Sequence, residues 1–381
     1  MSFTLIAILV ATVFLAYANG ANDNFKGVAT LAGSGTTTYR GALIWATVTT
    51  LAGSLLAVSL ASGLLKAFSG KGLVPTEVLA EPAFMAAVGL GAAATVLIAT
   101  RVGLPISTTH SLIGALVGVG LLAGSGRIDW LRLVTVFAIP LLVSPLIAFL
   151  LAAGGYVPLR WLRRRLGISA ETCVCLGRGE YAPVTIQPDG TLVARGAGRG
   201  LAGEGGGLPV LDIDDTARCV QRYQGRVMGV SAAAVADGVH YLSAGAVSLA
   251  RGLNDTPKIM GLLVASQLLP ARFGMLLVGV AIAIGGVLSA RRVAATMSQR
   301  ITSMNVGQAL TANLTTAVLV LFASRLGVPV STTHVSCGSL FGIGAVTGQG
   351  HPQTITRVIL SWVATLPLAA LLGVAAYAVL H

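Results

Sequence analysis

Charge is what this sequence has least of: 10% of its 381 residues are Asp, Glu, Lys or Arg, where a soluble globular domain spends about a quarter. That scarcity excludes a water-facing surface over most of the molecule. Acidic residues are scarcer still, 13 against 25 Lys and Arg, for a net charge of +12. Such an excess invites a nucleic-acid reading. The Arg residues are scattered between apolar stretches, however, with no basic face bearing aromatic residues, so nucleic acid is excluded as a partner. Cysteines number four and lack the paired Cys-x-x-Cys spacing, which argues against zinc at Cys173, Cys175 and Cys219 and for reduced cytoplasmic thiols. A cleavable signal segment is not expected, because the first apolar run leads straight into Asn19-Gly20-Ala21-Asn22-Asp23.

What the chain has in abundance is long apolar runs. Stretches near the ~20 residues needed to cross a bilayer lie at 2–18, 42–60, 82–99, 104–123, 131–152, 227–249, 273–289, 305–323, 330–346 and 358–380. Two further pieces, 28–33 and 259–269, are too short to cross alone. The fold class predicted is an all-α integral membrane protein with about 10–12 membrane segments. Arg160, Arg163, Arg164 and Arg165 follow the fifth run and put the next segment on the cytoplasmic side. That segment, 156–226, is rich in Arg and Gly and reads as a flexible linker, with a hairpin expected around Tyr181–Ala194, across Pro188-Asp189-Gly190. It divides the chain into a first membrane part, 1–155, and a second, 227–381.

Those two parts repeat each other. Arg101-Val-Gly103-Leu-Pro105-Ile-Ser107-Thr108-Thr109-His110 returns as Arg325-Leu-Gly327-Val-Pro329-Val-Ser331-Thr332-Thr333-His334, with seven of ten positions identical. Gly114 and Gly118 return as Gly338 and Gly342, and Gly20-Ala21-Asn22-Asp23-Asn24-Phe25-Lys26 as Gly252-Leu253-Asn254-Asp255-Thr256-Pro257-Lys258. Two motifs in the same order, twice over, mark a duplication. Many secondary transporters are built this way, with the binding site at the repeat interface. The short pieces after Asp23 and Asp255 leave the parity of the halves, parallel or inverted, open.

The chemistry of each motif is readable. Gly-x-Pro breaks a helix, and Ser107 or Thr108 is a natural N-cap for the helix that follows. Free N–H groups at that end, with the hydroxyls of Ser107, Thr108 and Thr109 and their counterparts Ser331, Thr332 and Thr333, make an anion site that suits phosphate. A cap and nothing more is the plainer alternative for either copy alone. His110 and His334 are expected to pack or hydrogen-bond rather than to catalyse, and the glycine pairs to let a neighbouring helix approach. Asp23 lies at membrane depth, where a carboxylate costs about 2.5–3.5 kcal/mol and is usually functional. Asn22, Asp23, Asn254 and Asp255 offer hard oxygen ligands for a cation such as Na⁺. Lys26 and Lys258 stand three residues beyond each Asp as charge partners, either neutralising it or lending charge to an anion pathway.

The Gly-Ala-Asn-Asp and Gly-x-Asn-Asp elements and the two Pro-x-Ser-Thr-Thr-His motifs together resemble the inorganic phosphate transporter family, PiT, over both halves but not the linker. The resemblance implies an inverted-repeat fold with re-entrant helical hairpins at the Ser-Thr-Thr motifs, a homodimer in the plasma or inner membrane among lipid, and symport of phosphate with Na⁺ or H⁺, with no cofactor and no enzyme activity. It assigns phosphate to Ser107, Thr108, Thr109, Ser331, Thr332 and Thr333, and the Na⁺-type cation to Asn22, Asp23, Asn254 and Asp255. The chain departs from the family at Lys26, where a small or amide residue is common, and at Arg251, where His is common; both bear on the coupling ion. A sulfate permease of the same family, an anion channel and a membrane hydrolase using Ser107 and His110 are the competing readings.

Overall fold

The Gly-x-Pro breaks and Ser caps cut each half of the chain into the same series of helices. A computed structural model describes residues 3–124, 126–169, 172–177, 184–186, 192–194, 210–215, 228–264 and 269–381. Among these are ten helices of 16 residues or more, five per half. The first five are α1 (Phe3–Asp23), α2 (Tyr39–Leu60), α3 (Pro82–Val102), α4 (Thr108–Ala123) and α5 (Ile139–Arg165). Their counterparts are α6 (Ala232–Val264), α7 (Ala271–Ser289), α8 (Val306–Arg325), α9 (Thr332–Thr347) and α10 (Pro352–Leu380).

Seven of the ten, all but α4, α6 and α9, are long and apolar enough to cross a membrane. Large apolar side chains such as Leu131, Leu326, Val363, Leu371 and Val379 point outward, as a surface in contact with lipid requires. Helices α4 and α9 correct the expectation of full spans at 104–123 and 330–346: each has 16 residues. That is ~24 Å of rise, short of the ~30 Å hydrocarbon core, and it fits the re-entrant hairpins the family resemblance implied. The run 2–18 also ends too early, since α1 continues to Asp23 and takes the Asn-Asp motif into its last turn. Likewise 227–249 and 259–269 belong to one helix, α6, which runs through Arg251, Asp255, Pro257 and Lys258. Charge does not end α6 because those side chains are buried against partners.

The two halves interlock through glycines, in equivalent places. A Cβ on Gly20 of α1 would overlap the Ile282 carbonyl of α7, and one on Gly285 of α7 the Tyr17 carbonyl of α1. The counterparts repeat it: Gly252 of α6 lies against the Thr50 carbonyl of α2, and Gly53 of α2 against that of Leu249. The glycine pairs behave the same way. Gly114 and Gly118 bring α4 against Leu366 and Ala370 of α10, while Gly338 and Gly342 bring α9 against Pro145 and Phe149 of α5. Each half is therefore packed on helices of the other, with small residues letting backbones touch.

Residues 159–238 form a separate compact unit. Where a flexible linker with one hairpin was expected, β1 (Thr172–Gly177) also pairs antiparallel with β4 (Val210–Asp215) and β5 (Met228–Ser231). Short strands β2 (Val184–Ile186) and β3 (Leu192–Ala194) pair in the register Thr185 to Val193, as the expected hairpin requires; its Pro-Asp-Gly turn lies outside the described residues, as does Cys219.

Candidate functional site

Both Ser-Thr-Thr-His segments adopt one conformation. After α3, Gly103 turns the chain with φ 79°, and after α8, Gly327 does so with φ 70°. The left-handed region favours glycine there. Three residues outside regular secondary structure follow, and then Ser107 and Ser331 cap α4 and α9 with identical backbone angles, φ −97° and ψ 116°. Their hydroxyls accept from the His110 and His334 backbone N–H groups at 3.1 and 3.2 Å. The N–H groups of Thr108, Thr109, Thr332 and Thr333 precede the first intrahelical bonds and have no acceptor within their helices. Between the two helix starts the imidazoles of His110 and His334 meet with centroids 4.3 Å apart, and His334 stacks on Trp362 of α10 at 3.8 Å. Trp362 Nε1 donates to the Pro105 carbonyl at 3.1 Å, fixing the first segment to the other half.

Each Asn-Asp motif reaches both segments. Asp23 accepts from Asn19 Nδ2 at 3.0 Å and from the Thr108 hydroxyl at 3.3 Å, and it is ion-paired to Lys26. Asp255 accepts from Asn254 Nδ2 at 3.1 Å, from Thr332 at 3.4 Å and from Asn19 at 3.3 Å, with Lys258 Nζ at 3.6 Å. Asn19 thus bridges the two carboxylates. The lysines cross between halves. Lys26 Nζ donates to Asn22 Oδ1 at 2.9 Å, the Ile106 carbonyl at 2.8 Å and the Thr333 hydroxyl of the other half at 2.6 Å. Lys258 Nζ donates to the Val330 carbonyl at 2.6 Å and the Thr109 hydroxyl of the other half at 2.9 Å.

The electrostatics are one-sided. Among the described residues the buried Asp, Lys and Arg side chains are Asp23, Asp255, Lys26, Lys258 and Arg251, each at most 3% exposed. Three basic side chains stand among two carboxyl groups, a formal excess of one positive charge. Arg251 donates to Asn19 Oδ1 at 3.3 Å, Asn24 Oδ1 at 3.0 Å and Thr50 at 3.1 Å, while its Nε, His110 Nδ1 and His334 Nε2 are buried without a protein partner. The Arg251 Nε–H is thus a buried donor with no acceptor in the protein.

All twelve residues singled out in the sequence come together here: six Ser and Thr, four Asn and Asp, and the two lysines. Lys26 is not on the helix of Asp23, as the i to i+3 reading assumed; it lies past the end of α1 and folds back across that turn. Asn19, Thr100 and Ser324 went unrecognised, and Arg251 stood out only as a departure from the family. Asn19 and Arg251 occupy equivalent places, one residue before each repeated Gly. Thr100 and Ser324, one residue before each repeated Arg, hold the two asparagines, with Asn22 Nδ2 donating to Thr100 at 2.9 Å and Ser324 donating to Asn254 Oδ1 at 3.2 Å. A hydroxyl in front of both copies of Arg-x-Gly-x-Pro was the available signal.

Comparison with known proteins bears on this geometry. The profile described as the phosphate transporter family matches residues 19–373. A Pyrococcus horikoshii protein described as a phosphate permease is 28% identical, covering 97% of this chain and 96% of its own length. The chloroplastic inorganic phosphate transporter 2-1 of Arabidopsis thaliana is 27% identical over 97% of this chain and 70% of itself. A solved structure described as the sodium-dependent phosphate transporter shares the fold, with a TM-score of 0.73 at 23% identity, covering 100% of this chain and 99% of that one.

Proposed function

This chain belongs to the phosphate transporter family, and from that premise we propose that it is a secondary transporter, a symporter that moves inorganic phosphate across the cell membrane on a cation gradient, Na⁺ or H⁺. The family is one of multi-pass membrane permeases rather than enzymes. The observation that carries the reading is the pair of capped helix starts at Ser107 and Ser331, brought together beside a buried surplus of one positive charge. Backbone N–H groups and the dipole at each start favour an oxyanion, and the excess charge matches a phosphate monoanion. The Asn and Asp oxygens of both halves form the cation-type part of the same site. Every one of these residues is buried, so entry and exit require the halves to move relative to one another, as in alternating access.

The test is to remove the hydroxyls. Thr108→Ala with Thr109→Ala, or Thr332→Ala with Thr333→Ala, takes away donors near a charged ligand, each worth about 1.5–3 kcal/mol. Phosphate affinity by calorimetric titration should fall at least about tenfold in either double variant. Unchanged affinity in both would assign these residues to capping alone.

A further inference from the structure

The solved structure that shares this fold is described as sodium-dependent, and the oxygen groups of the Asn-Asp motifs are of the kind that hold a sodium ion. In this chain those oxygens are already engaged. Lys26 Nζ sits among four oxygens: Asn22 Oδ1, Asp23 Oδ1, the Ile106 carbonyl and the Thr333 hydroxyl. Two come from one Asn-Asp motif, one from the Ser-Thr-Thr segment of the same half, and one from that of the other half. A carboxylate, an amide oxygen, a carbonyl and a hydroxyl converging on one point is a donor set for a small hard cation, and a compact ammonium fills it as a point charge. Lys258 Nζ stands in the equivalent place, against Asp255 Oδ1, the Val330 carbonyl and the Thr109 hydroxyl. Both ammonium groups are buried, at 3% exposure for Lys26 and 2% for Lys258, and neither reaches water by extending. The Lys258 ammonium also lies over the Phe68 ring, 5.7 Å from its centroid.

We propose that Lys26 and Lys258 are tethered replacements for the two coupling cations, so that this transporter moves phosphate without sodium. The inference rests on the phosphate-transport reading and specifies its coupling. Charge balance supports it independently of the contacts. In a site with Asp23 and Asp255 alone, a phosphate monoanion would bring three negative charges together, and mobile cations would have to neutralise them. Here Lys26, Lys258 and Arg251 cancel both carboxylates and leave one positive charge for the anion. A sodium ion entering either cage would have to displace a covalently attached cation from its oxygens. Sequence spacing and reach explain why lysine can do this. Each Lys follows its Asp by three residues, and each reaches across to a threonine of the opposite half, Thr333 or Thr109, tying the halves where a mobile ion would otherwise do so.

The full-length protein in proteoliposomes decides the matter, with radiolabelled phosphate driven by an imposed pH gradient in a bath of sodium or of equimolar choline. The expected initial rates are the same in both baths. Lys26→Ala with Lys258→Ala vacates both cages and leaves the carboxylates to a mobile ion, so uptake by that variant should become sodium-stimulated at least about tenfold, ~1.4 kcal/mol. Should the variant fold poorly, thermal unfolding reads the same point: sodium should raise its unfolding temperature and leave that of the unaltered protein where it was. Sodium-stimulated uptake or stoichiometric binding of radioactive sodium by the unaltered protein would overturn the inference while leaving phosphate transport intact. Absence of phosphate uptake in both baths, under either a proton or a sodium gradient, would instead overturn the transport reading and the inference with it.

Discussion

Asp23→Asn is expected to bring phosphate uptake to background and to destabilise the fold by about 3–5 kcal/mol, the cost of leaving one member of a buried ion pair alone. The carboxylate is 1% exposed, and besides its pairing with Lys26 it accepts from Asn19 and Thr108. An asparagine keeps the shape and loses the charge, which strands the Lys26 ammonium in the protein interior. Adding Lys26→Met should recover most of the lost stability, because the uncompensated charge is gone, but not the uptake. Asp255→Asn should destabilise less, since Lys258 lies at 3.6 Å and leans on Val330 and Thr109 instead. Uptake in proteoliposomes and thermal unfolding in detergent measure both quantities. Normal uptake by Asp23→Asn would mean that the carboxylate only fills space.

Gly114→Val and Gly338→Val should be still more damaging to assembly. A Cβ at these positions overlaps the backbone carbonyls of Leu366 and Pro145, which no side-chain rotation can relieve, so the helices must separate. Overpacking costs typically 1–3 kcal/mol where side chains can adjust, and more is expected where backbone meets backbone. The contacts join α4 to α10 and α9 to α5, so separation also displaces the capped helix starts from one another. Most of the protein should be lost as aggregate on size-exclusion chromatography. Gly154→Ala on α5, where an added Cβ meets nothing within 4 Å, is the control and should behave as the unaltered chain. Survival of both valine variants with normal unfolding would contradict the packing described.

Much of this architecture could be read before the structure, and the reason is duplication. A motif present twice removes chance, so the Ser-Thr-Thr helix starts and the Asn-Asp turns stood out although nothing local distinguishes Ser107 from an ordinary cap. The glycine pairs were legible for the same reason. What escaped falls into two kinds. Boundaries failed where charge looked like a stop: α6 runs on through Arg251, Asp255 and Lys258 because partners elsewhere in the fold satisfy them, and hydropathy along one strand of sequence cannot see those partners. Crossed contacts failed because a repeat shows which residues are equivalent, not which ones meet. The sequence aligns Lys26 with Lys258 and Thr109 with Thr333; only the fold shows Lys26 against Thr333 and Lys258 against Thr109. Asn19 was hidden by its difference from Arg251, since equivalent positions carrying an amide and a guanidinium do not look like a repeat.

The central claim is that the oxyanion received between Ser107 and Ser331 is phosphate. Phosphate and sulfate are both tetrahedral, and the helix starts alone would suit either. Near neutral pH phosphate keeps a P–OH proton that sulfate lacks, and the carboxylates of Asp23 and Asp255, each with about four acceptor positions, stand beside the threonine hydroxyls. An acceptor with no proton to receive is a large penalty in a buried site. The direct measurement is uptake of radiolabelled phosphate by the purified protein in proteoliposomes, in competition with unlabelled arsenate and sulfate. Arsenate should compete as phosphate does, and sulfate at least about tenfold more weakly, ~1.4 kcal/mol. Competition by sulfate equal to that by unlabelled phosphate would contradict the assignment.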